Sequence, residues 1–146
     1  MNPNSIILKD FEKWKNLNKN FSLFDYIFNI IKSKNLSSDI FFAFSEVFWP
    51  SFIVHDNYVF LKENFSDSKF KDLIKNNDKI EFWINFFIID PFFDEDGKEK
   101  AEALSKILVN IWQLKLKQDF PNLKFNVEFL YDIENGDYGL TFYQIE

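Results

Sequence analysis

Apolar residues recur at helical spacing through the first third of the chain. Ile7, Leu8, Phe11 and Trp14 fall on one face of a helix expected over about 4–17. A second helix is expected from about 22 to 33. Leu23, Ile27, Ile30 and Ile31 form its stripe, and Phe24 and Phe28 widen it, so burial from more than one side is anticipated. Ser22 and Asp25 stand three apart, like a capping box with Asp in place of Glu. A third helix, over about 39–48, carries Ile40, Phe44, Val47 and Phe48. Pro50 should end it, because a residue before proline is pushed out of helical geometry.

The period then changes from 3.6 to 2. In SFIVHDNYVFLKE two short β-rich runs flank Asp56-Asn57, a pair that tolerates the positive φ of a tight turn. A two-residue loop sets His55 opposite Tyr58, Val54 opposite Val59 and Ile53 opposite Phe60. Both faces are then largely apolar, which predicts a hairpin central in its sheet. A short helix over about 67–76 turns Phe70, Leu73 and Ile74 inward. Residues 79–89, KIEFWINFFII, read as a strand that Pro91 and the acidic DEDG stretch terminate. Asp96 with Glu99 has capping-box spacing for a long helix reaching about 118, with Leu104, Ile107, Leu108, Ile111, Trp112 and Leu116 on its inner side. Lys98, Glu102 and Lys106 step along its outer side. KFNVEFLYDI and YGLTFYQI alternate around Asn135-Gly136, a strong hairpin signal. A two-residue turn there pairs Phe129 with Phe142, Tyr131 with Leu140 and Ile133 with Tyr138 on one face. Glu128, Asp132 and Thr141 fall on a wet face, where Tyr143 is an exposed aromatic beside Glu128. The order ααα-ββ-α-β-α-ββ predicts one α+β domain over 1–146. Its sheet should be mostly antiparallel and five-stranded, with helices packed on one face.

Composition narrows the chemistry. With 47% hydrophobic residues and 21 Phe among 146, the chain is expected to fold around a substantial core. It has no Cys, which removes disulfides, thiolate metal sites and Cys nucleophiles. All 17 basic residues are Lys, so no side chain forms the bidentate fork that reads phosphate or guanine. With a net charge of -6, this argues against nucleic acid as a partner. The N-terminus lacks a basic start and a long apolar run, and the strongest apolar run, IFFAF at 40–44, falls well short of the ~20 residues of a membrane span. A cytoplasmic protein away from membranes is the expectation. The charge is uneven: residues 1–80 hold 11 Lys and 10 acids, for +1, whereas 81–146 hold 6 Lys and 13 acids, for -7.

His55-Asp56 is the one candidate catalytic pair, since His55 is the only histidine. A metal site would need further His or carboxylate ligands, and a turn residue is the preferred reading. Three glycines leave no phosphate-cradling loop. Asp90, Asp94, Glu95 and Asp96 cluster at a strand-to-helix turn without the spacing of a calcium loop. Magnesium needs only one or two carboxylates, so a carboxylate-metal hydrolase stands as a third reading. Helix capping and solvation explain the cluster better. Asp132, Glu134 and Asp137 form a second acidic group, with Glu134 and Asp137 facing across the turn. Like charges opposed on a hairpin are destabilising, which suggests a use other than folding.

Trp49, Pro50, Phe52, Phe60, Leu61, Glu63, Phe120 and Pro121 resemble a pattern in a group of small uncharacterised bacterial proteins. These share a Trp-Pro-x-Phe step, a hairpin ending in Phe-Leu-x-Glu, and a late long helix followed by Phe-Pro and a strand. The resemblance covers about 40–143 and implies no activity. That group carries His before the long helix, whereas Asn85 and Asp90 stand here, which weakens any inherited metal or catalytic site. In character the chain is also similar to immunity proteins of bacterial toxin systems, including contact-dependent growth inhibition: small, acidic and without catalytic motifs. The leading expectation is a non-enzymatic domain without cofactor or metal that binds a basic cognate toxin, a nuclease being the first candidate. Asp90, Asp94, Glu95, Asp96, Asp132, Glu134 and Asp137 are its expected interface. A structural or regulatory homo-oligomeric module is the alternative.

Overall fold

A computed structural model describes residues 6–76, 79–93, 97–132 and 136–146. Helices α1 (Lys9–Leu17), α2 (Leu23–Lys34) and α3 (Asp39–Phe48) come first, followed by strands β1 (Phe52–His55) and β2 (Tyr58–Leu61). Then come α4 (Asp67–Asn76), a single helical turn α5 (Ile80–Ile84), the two-residue strand β3 (Phe87–Ile88) and a 3-10 turn at Asp90–Phe92. Helix α6 (Lys98–Asp119) and strands β4 (Lys124–Asp132) and β5 (Asp137–Ile145) close the chain. The protein is α+β, with two antiparallel sheets, β1-β2 and β3-β5-β4, in place of the expected five-stranded sheet.

Several local expectations hold. Ser22 and Asp25 form a reciprocal capping box, and the bond from the Ser22 backbone holds the Asp25 carboxyl below its ordinary pKa. Helix α3 stops at Phe48, ahead of the buried Pro50. There the Glu46 carboxylate accepts from both Ser51 N–H and Ser51 Oγ at 3.0 Å, fixing the corner between helix and sheet. The first hairpin has the expected register, His55↔Tyr58 through Ile53↔Phe60, and its turn residues Asp56 and Asn57 take φ of 49° and 67°. Its two faces enter two cores. Val59 and Leu61 join Leu108, Trp112, Leu116 and Phe142, while Phe60 joins Phe70, Ile80 and Ile84. Helices therefore lie on both sides, with α6 against one core and α4 and α5 against the other, and not on one face alone.

Residues 79–89 depart from the strand reading. Glu81 and Asn85 are both buried, and both bond to Val59. Glu81 Oε1 accepts from Val59 N–H at 2.7 Å, and Asn85 Nδ2 donates to Val59 C=O at 2.9 Å. On an extended strand these side chains would stand about 13 Å apart; one helical turn brings them within about 6 Å. Each also reaches β5. Glu81 Oε2 accepts from Gln144 N–H at 2.7 Å, and Asn85 Nδ2 donates to Phe142 C=O at 3.1 Å. Asn85 Oδ1 further accepts from Leu61 N–H at 2.8 Å. The facing edges of β2 and β5 are thus joined through side chains, and the hairpin is not central in a continuous sheet.

The second hairpin is shifted by two residues from the expected register. Phe129 pairs with Leu140, Tyr131 with Tyr138 and Asp132 with Asp137. Ile133 lies outside the described residues. The connection is longer than a two-residue turn, and Gly136, at φ 72°, donates its N–H to Asp132 C=O. A shift of two keeps every side chain on its face, so Phe125, Val127, Leu140 and Phe142 still enter the core under α6. The opposite face is not uniformly wet. Thr141 is fully buried and donates to Phe82 C=O at 2.7 Å. A Cβ at Gly139 would stand 2.8 Å from the Phe86 ring and 2.9 Å from Phe87 O, so this close approach needs glycine.

The first three helices hold no buried residue. Helix α2, expected to be buried from more than one side, leaves Phe24 71% and Phe28 64% exposed. Helix α1 starts at Lys9, later than expected, and Gly97 stands at the N-cap of α6; the expected cap Asp96 lies outside the described residues.

Asn85→Ala leaves Val59 C=O, Leu61 N–H and Phe142 C=O without their partner. Since each buried polar group left unmet costs roughly 1–3 kcal/mol, urea unfolding is expected to show a loss of about 3 kcal/mol or more. A loss under about 1 kcal/mol would mean that the bridge does not hold the sheets together.

Candidate functional site

The described members of the two acidic groups meet at one end of the three-stranded sheet. Asp132 and Asp137 form the last cross-strand pair of β4 and β5. The Asp90 carboxylate accepts from the N–H of Tyr138, next to Asp137. Residues more than 40 apart in sequence are thereby brought together. Asp94, Glu95, Asp96 and Glu134 lie outside the described residues. Lys98 also stands at this end, with its ammonium 5.0 Å from the Tyr131 ring centre and 6.0 Å from that of Tyr138. Attraction to Tyr131 first, then to Tyr138, raises the Lys98 pKa. A raised folded-state pKa contributes stability below the ordinary lysine value, which is lost as pH rises through the folded one. One turn along, the hydrogen bond from Lys106, at 2.7 Å, lowers the pKa of Glu102.

His55 occupies a packing position. Its ring lies 4.6 Å from Phe70, edge to face, and 5.1 Å from Phe65. Its Nε2 is 3.8 Å from Asp56 Oδ2, beyond hydrogen-bond distance. Among the described residues no group of three or more His, Asp or Glu is arranged to hold a metal ion.

At the opposite end of β5 the structure forms a cleft of about 650 Å³. The hairpin tip Asp56–Tyr58, the start of α5 from Lys79 to Phe82, and Glu128, Tyr143 and Gln144 line it. Gln144 ties two of these walls together, since its Nε2 donates to Asn57 C=O at 2.9 Å and to Glu81 Oε1 at 2.7 Å. Asn126 Nδ2 reaches both Tyr143 Oη, at 2.9 Å, and Glu128 Oε2, at 3.2 Å. The expected neighbours Tyr143 and Glu128 are therefore brought together, as part of a concave wall. The strand expected over 79–89 did not anticipate the burial of Glu81. The signal was available: 80/84, 81/85 and 82/86 repeat apolar, polar and aromatic at a spacing of four.

Comparison with protein-family models, curated proteins and solved structures finds no match to this chain. None of the helices among the described residues is long and apolar enough to cross a membrane.

If His55 serves packing, His55→Phe should keep the unfolding midpoint in urea close to that of the parent, while His55→Ala loses about 1–2 kcal/mol of aromatic contact. Equal losses in both variants would show that the ring nitrogens are in use.

Proposed function

We propose that this chain is a non-catalytic protein-binding domain whose acidic sheet end takes a basic partner. Neutralisation of a cognate toxin, a nuclease foremost, is the form in which that chemistry would serve an immunity protein. The observation that carries the reading is the register of β4 and β5, which sets Asp132 directly across from Asp137, with Asp90 held at the neighbouring Tyr138. Opposed like charges weaken a hairpin, so an acidic pair here favours something other than folding. The -7 balance of residues 81–146 adds long-range attraction for a basic surface. Occupying the substrate surface of such a partner with carboxylates would be the mode of inhibition.

The test is co-purification with the product of the adjacent gene, followed by binding measured against salt. Binding should be tight at low salt and fall as salt rises. The double variant Asp132→Asn, Asp137→Asn should bind about tenfold more weakly, mainly through slower association. Absence of any basic partner at low salt would overturn the reading.

A second reading, a structural or regulatory module built on self-association, is favoured by a different observation. Thirteen large apolar side chains between Ile7 and Phe44 are exposed, Leu17 at 91% and Phe42 at 75% among them. With Phe burying about 150–250 Å² when covered, these residues supply the roughly 800 Å² per partner of a stable interface. Light scattering after size exclusion should then report a dimer. Phe24→Asp with Phe28→Asp should give a folded monomer; a monomeric parent chain would remove this reading.

A further inference from the structure

The cleft at the hairpin tip belongs to neither reading of function. It lies at the Gln144 end of β5, where Lys124 pairs with Ile145, whereas the acidic turn lies at the Asp132–Asp137 end of the same pair of strands. Its volume of about 650 Å³ falls in the range of small-ligand sites, roughly 300–1,000 Å³.

Three features of the lining specify its chemistry. The first is aromatic: Tyr58, Phe82 and Tyr143 stand around the cleft, with the Phe82 and Tyr143 rings 6.1 Å apart. Ring faces attract cations. The second is charge, since Asp56, Glu81 and Glu128 line the cleft against one ammonium, that of Lys79. The third is Glu81 itself. It is only 6% exposed, yet the residue lines the cleft. Val59 N–H and Gln144 Nε2 donate to Oε1, and Gln144 N–H donates to Oε2. A carboxylate offers about four lone-pair sites, so Oε2 keeps acceptor capacity after these bonds are made. A carboxylate held away from bulk water attracts a nearby cation more strongly than one in solvent does. An anion would meet repulsion from the same groups.

We propose that this cleft binds an organic cation: a guanidinium or primary ammonium group on a short stem. The aromatic walls would take the stem and the delocalised charge, and Glu128, already oriented by Asn126, would pair with the head group. The head group has two sources, a free amine or the side chain of a peptide. Each has its own probe, agmatine for the first and N-acetyl-arginine-amide for the second.

The experiment is an amide NMR titration of the whole chain with each probe, with the citrulline amide as the uncharged control. Saturable shifts confined to Asn57, Tyr58, Val59 and Gln144 are expected with at least one cation and not with the control. Response to agmatine alone identifies a free amine, and response to the arginine amide alone identifies a peptide side chain. Glu128→Gln should weaken binding about tenfold, the equivalent of about 1.4 kcal/mol. Asp56→Asn, which keeps a residue suited to the left-handed turn, should weaken it in the same direction. Asp132→Asn with Asp137→Asn should leave it unchanged, which separates this site from the acidic sheet end. The proposal is overturned if neither cation gives saturable shifts. It is equally overturned if the control matches the cations, or if folded Glu128→Gln and Asp56→Asn bind like the parent.

Discussion

The bridge that Glu81 and Asn85 build between β2 and β5 is the constraint on which the rest of the architecture depends. Each strand presents an edge whose N–H and C=O groups would otherwise be buried unmet, at roughly 1–3 kcal/mol apiece. A third strand would meet them in the usual way. Here one helical turn does so with side chains, and the geometry shows why it can. Four residues of helix rise about 6 Å, close to the roughly 6.6 Å between residues two apart on a strand. Glu81 and Asn85 therefore register with Gln144 and Phe142 on one side, and with Val59 and Leu61 on the other. From Asn85 onward the same segment runs along β5 by backbone, through Phe87↔Leu140 and Ile89 N–H to Tyr138 C=O, and ends with Asp90 on Tyr138 N–H.

This seam divides the molecule. Below it, α6 packs Leu108, Trp112 and Leu116 against β4 and β5, and Trp112 Nε1 reaches Val47 C=O at 2.8 Å, tying α3 to the core. Above it, Phe60, Phe70, Ile80 and Ile84 form a second core. Helices α1 and α2 lie outside both. They meet through the rings of Phe11, Trp14, Phe21 and Tyr26, of which only Phe21 is buried. An isolated helix shorter than about 12–15 residues is marginal in water, so these two short helices gain most from any surface that covers their apolar sides.

Where one short-range rule decided the outcome, the sequence was legible. Positive φ at Asp56-Asn57, the Ser22–Asp25 box and the block at Pro50 each act within a few residues, and each structure appeared as expected. The long helix was legible because its apolar spacing persists over six turns. The failures have a common cause. In KIEFWINFFII the β-rich composition favours a strand and outweighs the four-residue repeat, because burial of Glu81 and Asn85 is rewarded only when β2 and β5 are already beside them. Likewise, Asn135-Gly136 signals a hairpin but not its loop length, so the register slipped by two while the faces survived. Of the candidate site, the acidic end was visible as charge, although the partner of Asp90 was not. The cleft was invisible, because its walls come from β2, α5, β4 and β5.

The cleft follows from the same substitution of helix for strand. A strand laid between β2 and β5 would advance about 3.3 Å per residue and fill the whole gap between the two edges. A helical turn advances less than half as far for each residue spent, and its side chains, not its backbone, make the outermost contacts at Val59 and Gln144. Among the described residues no strand continues beyond them, and Gln144 reaches across to Asn57 at the hairpin tip. The residue whose carboxylate closes the seam is consequently also one that lines the opening. Structure and recognition thus converge on one residue, Glu81. Its three N–H partners serve the fold, and the same residue forms part of the cleft lining.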